Sequence, residues 1–302
     1  MMDAKDAVLR AKKHGTVIPA YNIPYLPMVK PVVQAVTDMN SVAMIQVARV
    51  EWEKFDSQSL EAVAEEYGKY RNPEHTLLHL DHVPVIDEDQ KKVDYLPIIR
   101  RAIAAGYQSV MIDASRLDLE GNIRATQEVA QVAHGAGIPC ESELGAVMGH
   151  ESGPRIPYEE IFATKKGFTD VAEAERFVRE SGCDWLSVAV GSIHGAVAEN
   201  LRHQKKPEAR LDIEHLKKLA GATGVPLVLH GGSGINKECI REGIRAGIAK
   251  INVGTEIRQA YENALAEKED IEAARQAVYD KVCEVITDML CIRDTRSLLY
   301  GD

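Results

Sequence analysis

No apolar run in the 302 residues is long enough to cross a bilayer, and the first residues, Met1-Met2-Asp3-Ala4-Lys5-Asp6, carry acids where a signal peptide needs an apolar core. No membrane partner is expected, and a cytoplasmic location is. Cationic excess is missing too. Lys and Arg total 36 against 46 Asp and Glu, and the formal charge of −10 argues against a nucleic-acid surface and leaves anion binding to local sites. The five cysteines, Cys140, Cys183, Cys239, Cys283 and Cys291, form no CxxC pair and no regular spacing, so buried free thiols replace a disulfide framework as the reading.

What is present is a soluble globular composition, 45% hydrophobic and 27% charged, at a length that one α/β barrel can use. Apolar, β-branched runs fall at 17–23, 42–48, 76–82, 109–113, 138–144, 185–191, 226–230 and 248–253. Between them lie stretches with helical spacing, among them 95–105, 119–133, 172–180, 213–219 and 237–246. Gly106, Gly135, Gly182, Gly224 and Gly247 stand where left-handed residues would close five of these helices. Strand, helix, glycine, strand is the rhythm of a parallel sheet with helical crossovers. Eight such units fit a closed (β/α)8 TIM barrel better than an open doubly wound sheet. The expectation is one barrel domain over 1–302, with long polar loops at 146–168 and 195–211 acting as lids and a C-terminal helical extension from about residue 268.

The active site of such a barrel lies at the C-terminal ends of its strands, and almost every end here is polar. The residues are Asn22, Gln46, Asp81 with His82, Asp113 with Ser115, Glu141 with Glu143, His194, His230 and Asn252. Imidazoles delivered by separate strand ends can converge, so His82, His194 and His230 read as the three neutral ligands of a catalytic zinc with an open fourth position. His14, His75, His79, His134, His150, His203 and His215 fit no such pattern and read as surface or satisfied core groups. Asp81 precedes a ligand and is the candidate base.

A second constellation suits an anion. Gly231-Gly232-Ser233-Gly234 follows the seventh run and Asn252-Val253-Gly254-Thr255 the eighth, each opening a helix. Glycines let backbone N–H groups approach a phosphate, hydroxyls add donors, and helix N-termini favour negative charge. A metal beside a phosphate site suggests hydrolysis by metal-bound water or polarisation of a carbonyl so that the next carbon can carry charge.

Six ordered motifs then carry a resemblance: Leu80-Asp81-His82, Met111-Ile112-Asp113-Ala114-Ser115, Glu141-Ser142-Glu143-Leu144-Gly145, Ser192-Ile193-His194-Gly195-Ala196, Leu229-His230-Gly231-Gly232-Ser233-Gly234 and Lys250-Ile251-Asn252-Val253-Gly254-Thr255. From Ile18 to about Ala264 the chain resembles the class II, metal-dependent ketose-bisphosphate aldolases. That resemblance implies zinc on His82, His194 and His230, with Asp113 and Glu143 matching a second or alternate divalent position. It implies Asp81 as the acid/base at the C4 hydroxyl and Glu151, in Gly149-His150-Glu151-Ser152-Gly153, as the group that handles the proton on the dihydroxyacetone phosphate carbon. Gly195, Gly231, Gly232, Ser233, Asn252, Val253, Gly254 and Thr255 would cradle the phosphate, with a monovalent cation as a further cofactor, and Asn22 would bind substrate. Homodimers or homotetramers are usual in the family.

The departures lie at the other end of the substrate. Gln46-Val47-Ala48-Arg49 has Ala48 where bisphosphate-cleaving relatives commonly carry a serine, prolines and a tyrosine join Asn22 in Tyr21-Asn22-Ile23-Pro24-Tyr25, and Val83-Pro84 replaces a more usual glycine. His150 and Ser152 stand where acids are typical. Arg49, Arg155, Arg293 and Arg296 are candidates for an anionic acceptor, each weighed against a solvated surface role. The expected function is zinc-dependent reversible cleavage of a ketose 1,6-bisphosphate or ketose 1-phosphate, fructose or tagatose 1,6-bisphosphate first, with an unusual or non-phosphorylated acceptor aldehyde as the alternative. A Schiff-base enzyme using Lys250 and a non-catalytic phosphosugar-binding accessory subunit are the competing readings.

Overall fold

The computed structural model describes residues 2–146, 158–192, 209–232 and 234–301. Eight strands form in chain order: β1 Ile18–Asn22, β2 Ala43–Ala48, β3 Thr76–Pro84, β4 Ser109–Asp113, β5 Cys140–Leu144, β6 Trp185–Val188, β7 Leu227–Leu229 and β8 Ile248–Val253. Each pairs in parallel with its neighbours, and β8 returns to β1 through Ile18 opposite Lys250 and Ala20 opposite Asn252, which closes a (β/α)8 barrel. Strands covered on both faces read as near-continuous apolar runs, and the burial of β2 and β8 along their whole length fits that rule.

The helices bury one stripe each. In Val29–Asp38 the stripe is Val29, Val32, Val33 and Val36, packed on the barrel wall. Aspartates begin several of them: Asp118 accepts the Gly121 N–H, Asp170 those of Ala172 and Glu173, and Asp212 that of His215. Of the expected closing glycines, Gly182 and Gly224 sit in the left-handed region after their helices. Gly135 does not: it ends helix Leu119–Gly135, and Gly137, with φ 75°, makes the turn instead.

Helix Ala4–His14 plugs the N-terminal end of the barrel. Its Ala4, Ala7, Val8 and Ala11 join Ile18, Ala20, Met44, Leu77, Trp185, Val228 and Ala249 in one apolar cluster. The C-terminal extension starts at helix Ile271–Glu284, runs on through a π turn at Val285–Met289, and packs against helices Thr255–Lys268 and Val29–Asp38. Part of the segment expected as a loop is helical, over Tyr158–Thr164. No helix among the described residues is long and apolar enough to cross a membrane.

Candidate active site

Strand alternation decides which side chains enter the barrel, since residues two apart share a face. His79 and Asp81 on β3, Glu141 and Glu143 on β5, and Lys250 and Asn252 on β8 are such pairs, and all six are buried. Alternation alone would send His82 outward. Between Leu80 and Val83 the β3–β4 register slips, three steps on β3 matching two on β4, and His82 takes φ 26° there. The bulge turns His82 to the same side as Asp81.

Three amides fix Asp81. Asn22 Nδ2 donates to Oδ2 at 3.0 Å, Gln46 Nε2 to the same oxygen at 3.2 Å, and Asn252 Nδ2 to Oδ1 at 3.0 Å. Burial opposes its charge, but His82, His230 and Lys250 outweigh that and hold the carboxyl below its usual range. Asp81 is a carboxylate at neutral pH. Its neighbours from β1, β2 and β8 set its orientation before any substrate arrives.

His82 Nδ1 lies 3.2 Å from Asp113 Oδ2, and Asp113 accepts on Oδ1 from the Ser115 N–H and hydroxyl at 3.1 and 2.6 Å. His230 is held from two sides: its Nε2 is 2.9 Å from Glu141 Oε1 and its Nδ1 3.1 Å from Glu143 Oε2. The two rings stand 4.4 Å apart, centroid to centroid. Burial opposes the His82 cation, yet Asp81, Asp113 and Glu143 push its pKa up to about 10. So much negative potential on two imidazoles is an environment that asks for a cation.

The donor set fits a metal. Asp81, His82 and His230 each offer a ligand atom within 4.8 Å of the others, and so do His82, Asp113 and Glu143. Nitrogen and carboxylate donors in overlapping groups suit a zinc-like dication with room to shift between positions. Glu141 lies beneath His230 and points its imidazole, the usual arrangement of a carboxylate behind a metal-binding histidine.

Beneath this layer sits a charge network that sequence reading did not resolve. Lys250 Nζ reaches Glu141 Oε2 at 2.9 Å and donates to Asn252 Oδ1 at 2.7 Å, while Trp185 Nε1 donates to Glu141 at 2.5 Å. Burial opposes the Glu141 charge, but Lys250 and His230 hold it as a carboxylate well below the ordinary range. His79, which bonds Ser109 Oγ at 2.7 Å, is kept neutral by burial and by Lys250, with its pKa down to about 3. Period-two pairing with Asp81, Glu143 and Asn252 is the signal that would have placed all three inside. Glu51, buried beyond the end of β2, had no such signal, because an acid in the first turn of a helix is ordinarily solvated.

The loops after β7 and β8 adjoin the acid/base. A Cβ on Gly254 would meet Asn22 Oδ1 at 3.2 Å, and one on Gly232 would lie 2.7 Å from Ile251 Cδ1, so both loops press close to the strands. The Gly234 N–H points to Glu256 Oε1 at 3.3 Å and ties the two loops together. Thr255 opens helix Thr255–Lys268 at Gly254. Glu151, Arg155, His194, Gly195 and Ser233 lie outside the described residues. Of the arginines proposed for an anion, Arg49 is engaged by Asp87 and Glu53, and Arg296 hydrogen-bonds the Gly301 carbonyl beside the plugged end of the barrel, away from the strand C-termini. Arg293 precedes Asp294, whose N–H binds Met39 O at that same end.

Comparison with known proteins agrees with this geometry. The family model for fructose-bisphosphate aldolase class-II matches residues 2–293. The YdjI aldolase of Escherichia coli K12 is 28% identical, with 97% of this chain and 98% of that one covered and a TM-score of 0.76. A candidate fructose-1,6-bisphosphate aldolase from Coccidioides immitis is 27% identical over 98% of each chain, with a TM-score of 0.77. Fructose-bisphosphate aldolase from Campylobacter jejuni shares the fold at 18% identity and a TM-score of 0.72, over 97% of this chain and 96% of that one.

Proposed function

The chain belongs to the class II fructose-bisphosphate aldolase family, and from that membership and the setting of Asp81 we propose that it reversibly cleaves a ketose 1-phosphate or ketose 1,6-bisphosphate to dihydroxyacetone phosphate and an aldehyde. Aldol cleavage is the family's chemistry. Fructose and tagatose 1,6-bisphosphate are the first substrates to try. One observation carries the reading: an ionised, amide-clamped aspartate offers its oxygen within 4.8 Å of the facing nitrogens of two histidines.

A zinc ion held by His82, His230 and His194, with Asp113 and Glu143 available to a second or alternate divalent position, would supply Lewis-acid polarisation of the ketone oxygen. Asp81 takes the C4 hydroxyl proton as the C3–C4 bond breaks, so that C4 leaves as an aldehyde and the electron pair of that bond passes to C3 and the C2 carbonyl. Glu151 then supplies the proton that C3 needs. In condensation both transfers reverse. Asn22 stands beside Asp81 at the reacting carbons, while Gly195, Gly231, Gly232, Ser233, Asn252, Val253, Gly254 and Thr255 take the phosphate, with a monovalent cation among their partners. A cytoplasmic homodimer or homotetramer is the form in which we expect the enzyme to work.

Lys250 is a poor Schiff-base nucleophile. Its Nζ is fully buried and faces Glu141 and Asn252, both of which require its hydrogens as donors. Chelation should therefore abolish cleavage and added zinc restore it; covalent trapping of substrate by borohydride would defeat the metal reading. Asp81→Ala should lower kcat by about 10²–10⁴-fold, the usual worth of one acid/base group. Zinc content measured on the same preparation should stay within reach of the parent enzyme, and full activity in that variant would refute the assignment.

A further inference from the structure

The end of β2 carries a buried carboxyl. Ala48 stands opposite Asp81 in the β2–β3 register. Three residues on, Glu51 folds back from helix Arg49–Lys54, and its Oε2 accepts the Ala48 N–H at 2.8 Å. Glu51 lies near Asn22 and within electrostatic reach of Asp81 and His82. Only 7% of Glu51 is exposed.

Three cations among the described residues around this corner are already engaged. Arg49 faces Asp87 at 3.4 Å and Glu53 at 3.6 Å, Lys54 faces Glu88 at 3.2 Å and Asp89 at 3.3 Å, and Arg116 donates to the Asp87 carbonyl at 3.0 Å. Under the proposed function, a ketose with its phosphate in the β7 and β8 loops and its carbonyl at the histidines puts its C4 hydroxyl on Asp81. Its remaining carbons then run past Asp81 toward the end of β2, where Glu51 lies within electrostatic reach of Asp81.

We propose that Glu51 reads the acceptor half of the substrate and restricts it to an uncharged hydroxyaldehyde. The inference rests on the aldolase reading above. A phosphate at this corner would meet a carboxyl and a backbone N–H already in use, with Arg49, Lys54 and Arg116 each committed to other partners. A hydroxyl instead finds a buried carboxyl with which it can form a hydrogen bond. Burial first and the Asp81 charge next push the Glu51 pKa up to about 8, and a phosphate dianion would face both penalties more severely.

The test uses the full-length zinc-loaded enzyme. Exchange of the dihydroxyacetone phosphate C3 proton with deuterated solvent needs no aldehyde and measures the shared half of the reaction. Condensation is then followed with glyceraldehyde and with glyceraldehyde 3-phosphate, each rate divided by the exchange rate of the same preparation. For the wild type assayed above pH 8, where the Glu51 carboxyl is ionised, kcat/KM should favour glyceraldehyde by about tenfold or more, as like-charge juxtaposition demands. Glu51→Ala, which frees the Ala48 N–H, should shift that ratio toward the phosphorylated aldehyde by about tenfold, chiefly through its KM. Glu51→Gln keeps the Ala48 N–H satisfied, is uncharged at every pH, and should shift the ratio the same way above pH 8. Phosphorus NMR on enzyme saturated with dihydroxyacetone phosphate should show glyceraldehyde 3-phosphate line broadening in the variants and not in the wild type. A wild-type preference for the phosphorylated aldehyde, or an unchanged ratio in both variants, overturns the Glu51 assignment alone. No proton exchange in the zinc-loaded wild type overturns the aldolase reading and this inference with it.

Discussion

His79 shows how one buried side chain can shape the acid response of the molecule. Its folded pKa of about 3 lies below the ordinary 6.5, held there by burial and by Lys250, so the unfolded chain binds the proton more readily. The stabilisation is complete above pH 6.5 and is lost as pH falls from there toward 3. Glu141, also depressed, adds its loss only below its ordinary value of 4.5. Between those two values the histidine removes up to about 1.4 kcal/mol per pH unit, and Glu51, whose folded pKa of about 8 stands above its ordinary 4.5, returns a similar amount by keeping its proton in the folded state. Urea midpoints of the metal-free protein should therefore change little between pH 6.5 and 4.5, and in His79→Gln, where only the Glu51 contribution remains, they should rise as pH falls through that window. An unchanged, flat profile in the variant would show that His79 does not contribute there.

At the scale of elements, the strand ends act as launching points for the loops that complete the site. Gly191, just past β6, has φ 112°, and a Cβ there would collide with the Arg210 carbonyl oxygen and lie 2.9 Å from the Phe162 ring. Gly191→Ala should cost about 1–3 kcal/mol in backbone strain alone, read as a lowered Tm. Because His194 follows three residues later, competition with a chromogenic chelator should also report weaker zinc binding; unchanged affinity would detach the β6 loop from the metal. The elements themselves were legible where two signals agreed. The run at 109–113 became β4 without a shift, and the expected strand 248–253 is β8 residue for residue. At 185–191 the apolar run continues past Val188, where β6 ends, because apolarity marks burial and not hydrogen bonding. Helix Tyr158–Thr164 was read as loop because the glycines and prolines upstream of it dominate the segment's composition. His82 and His230 were visible as strand-end histidines. Glu51 and the Lys250–Glu141 pair were not, since which face a residue occupies depends on register and on tertiary partners.

For the whole molecule, the two ends of the barrel divide their labour. Helix Ala4–His14 closes one end with small apolar side chains, and the candidate chemistry occupies the other. Val8→Asp would bury an unpaired charge in that plug and should cost about 3 kcal/mol or more of stability. Activity per folded molecule should be retained, as measured by turnover corrected for the native fraction by circular dichroism. Loss of specific activity in fully folded variant would mean that the two ends communicate.

The extra residue in β3 carries a consequence for anyone who would transplant or redesign this site. Asp81 and His82 are neighbours in the chain yet share one face only because that insertion turns the backbone between Leu80 and Val83. Shortening the strand by a single residue would leave every side chain in the list intact and still swing one of the pair out among the helices. A graft of the polar residues onto a regular eight-stranded barrel would inherit the ingredients without the chemistry. The smallest portable unit of this enzyme is a kink.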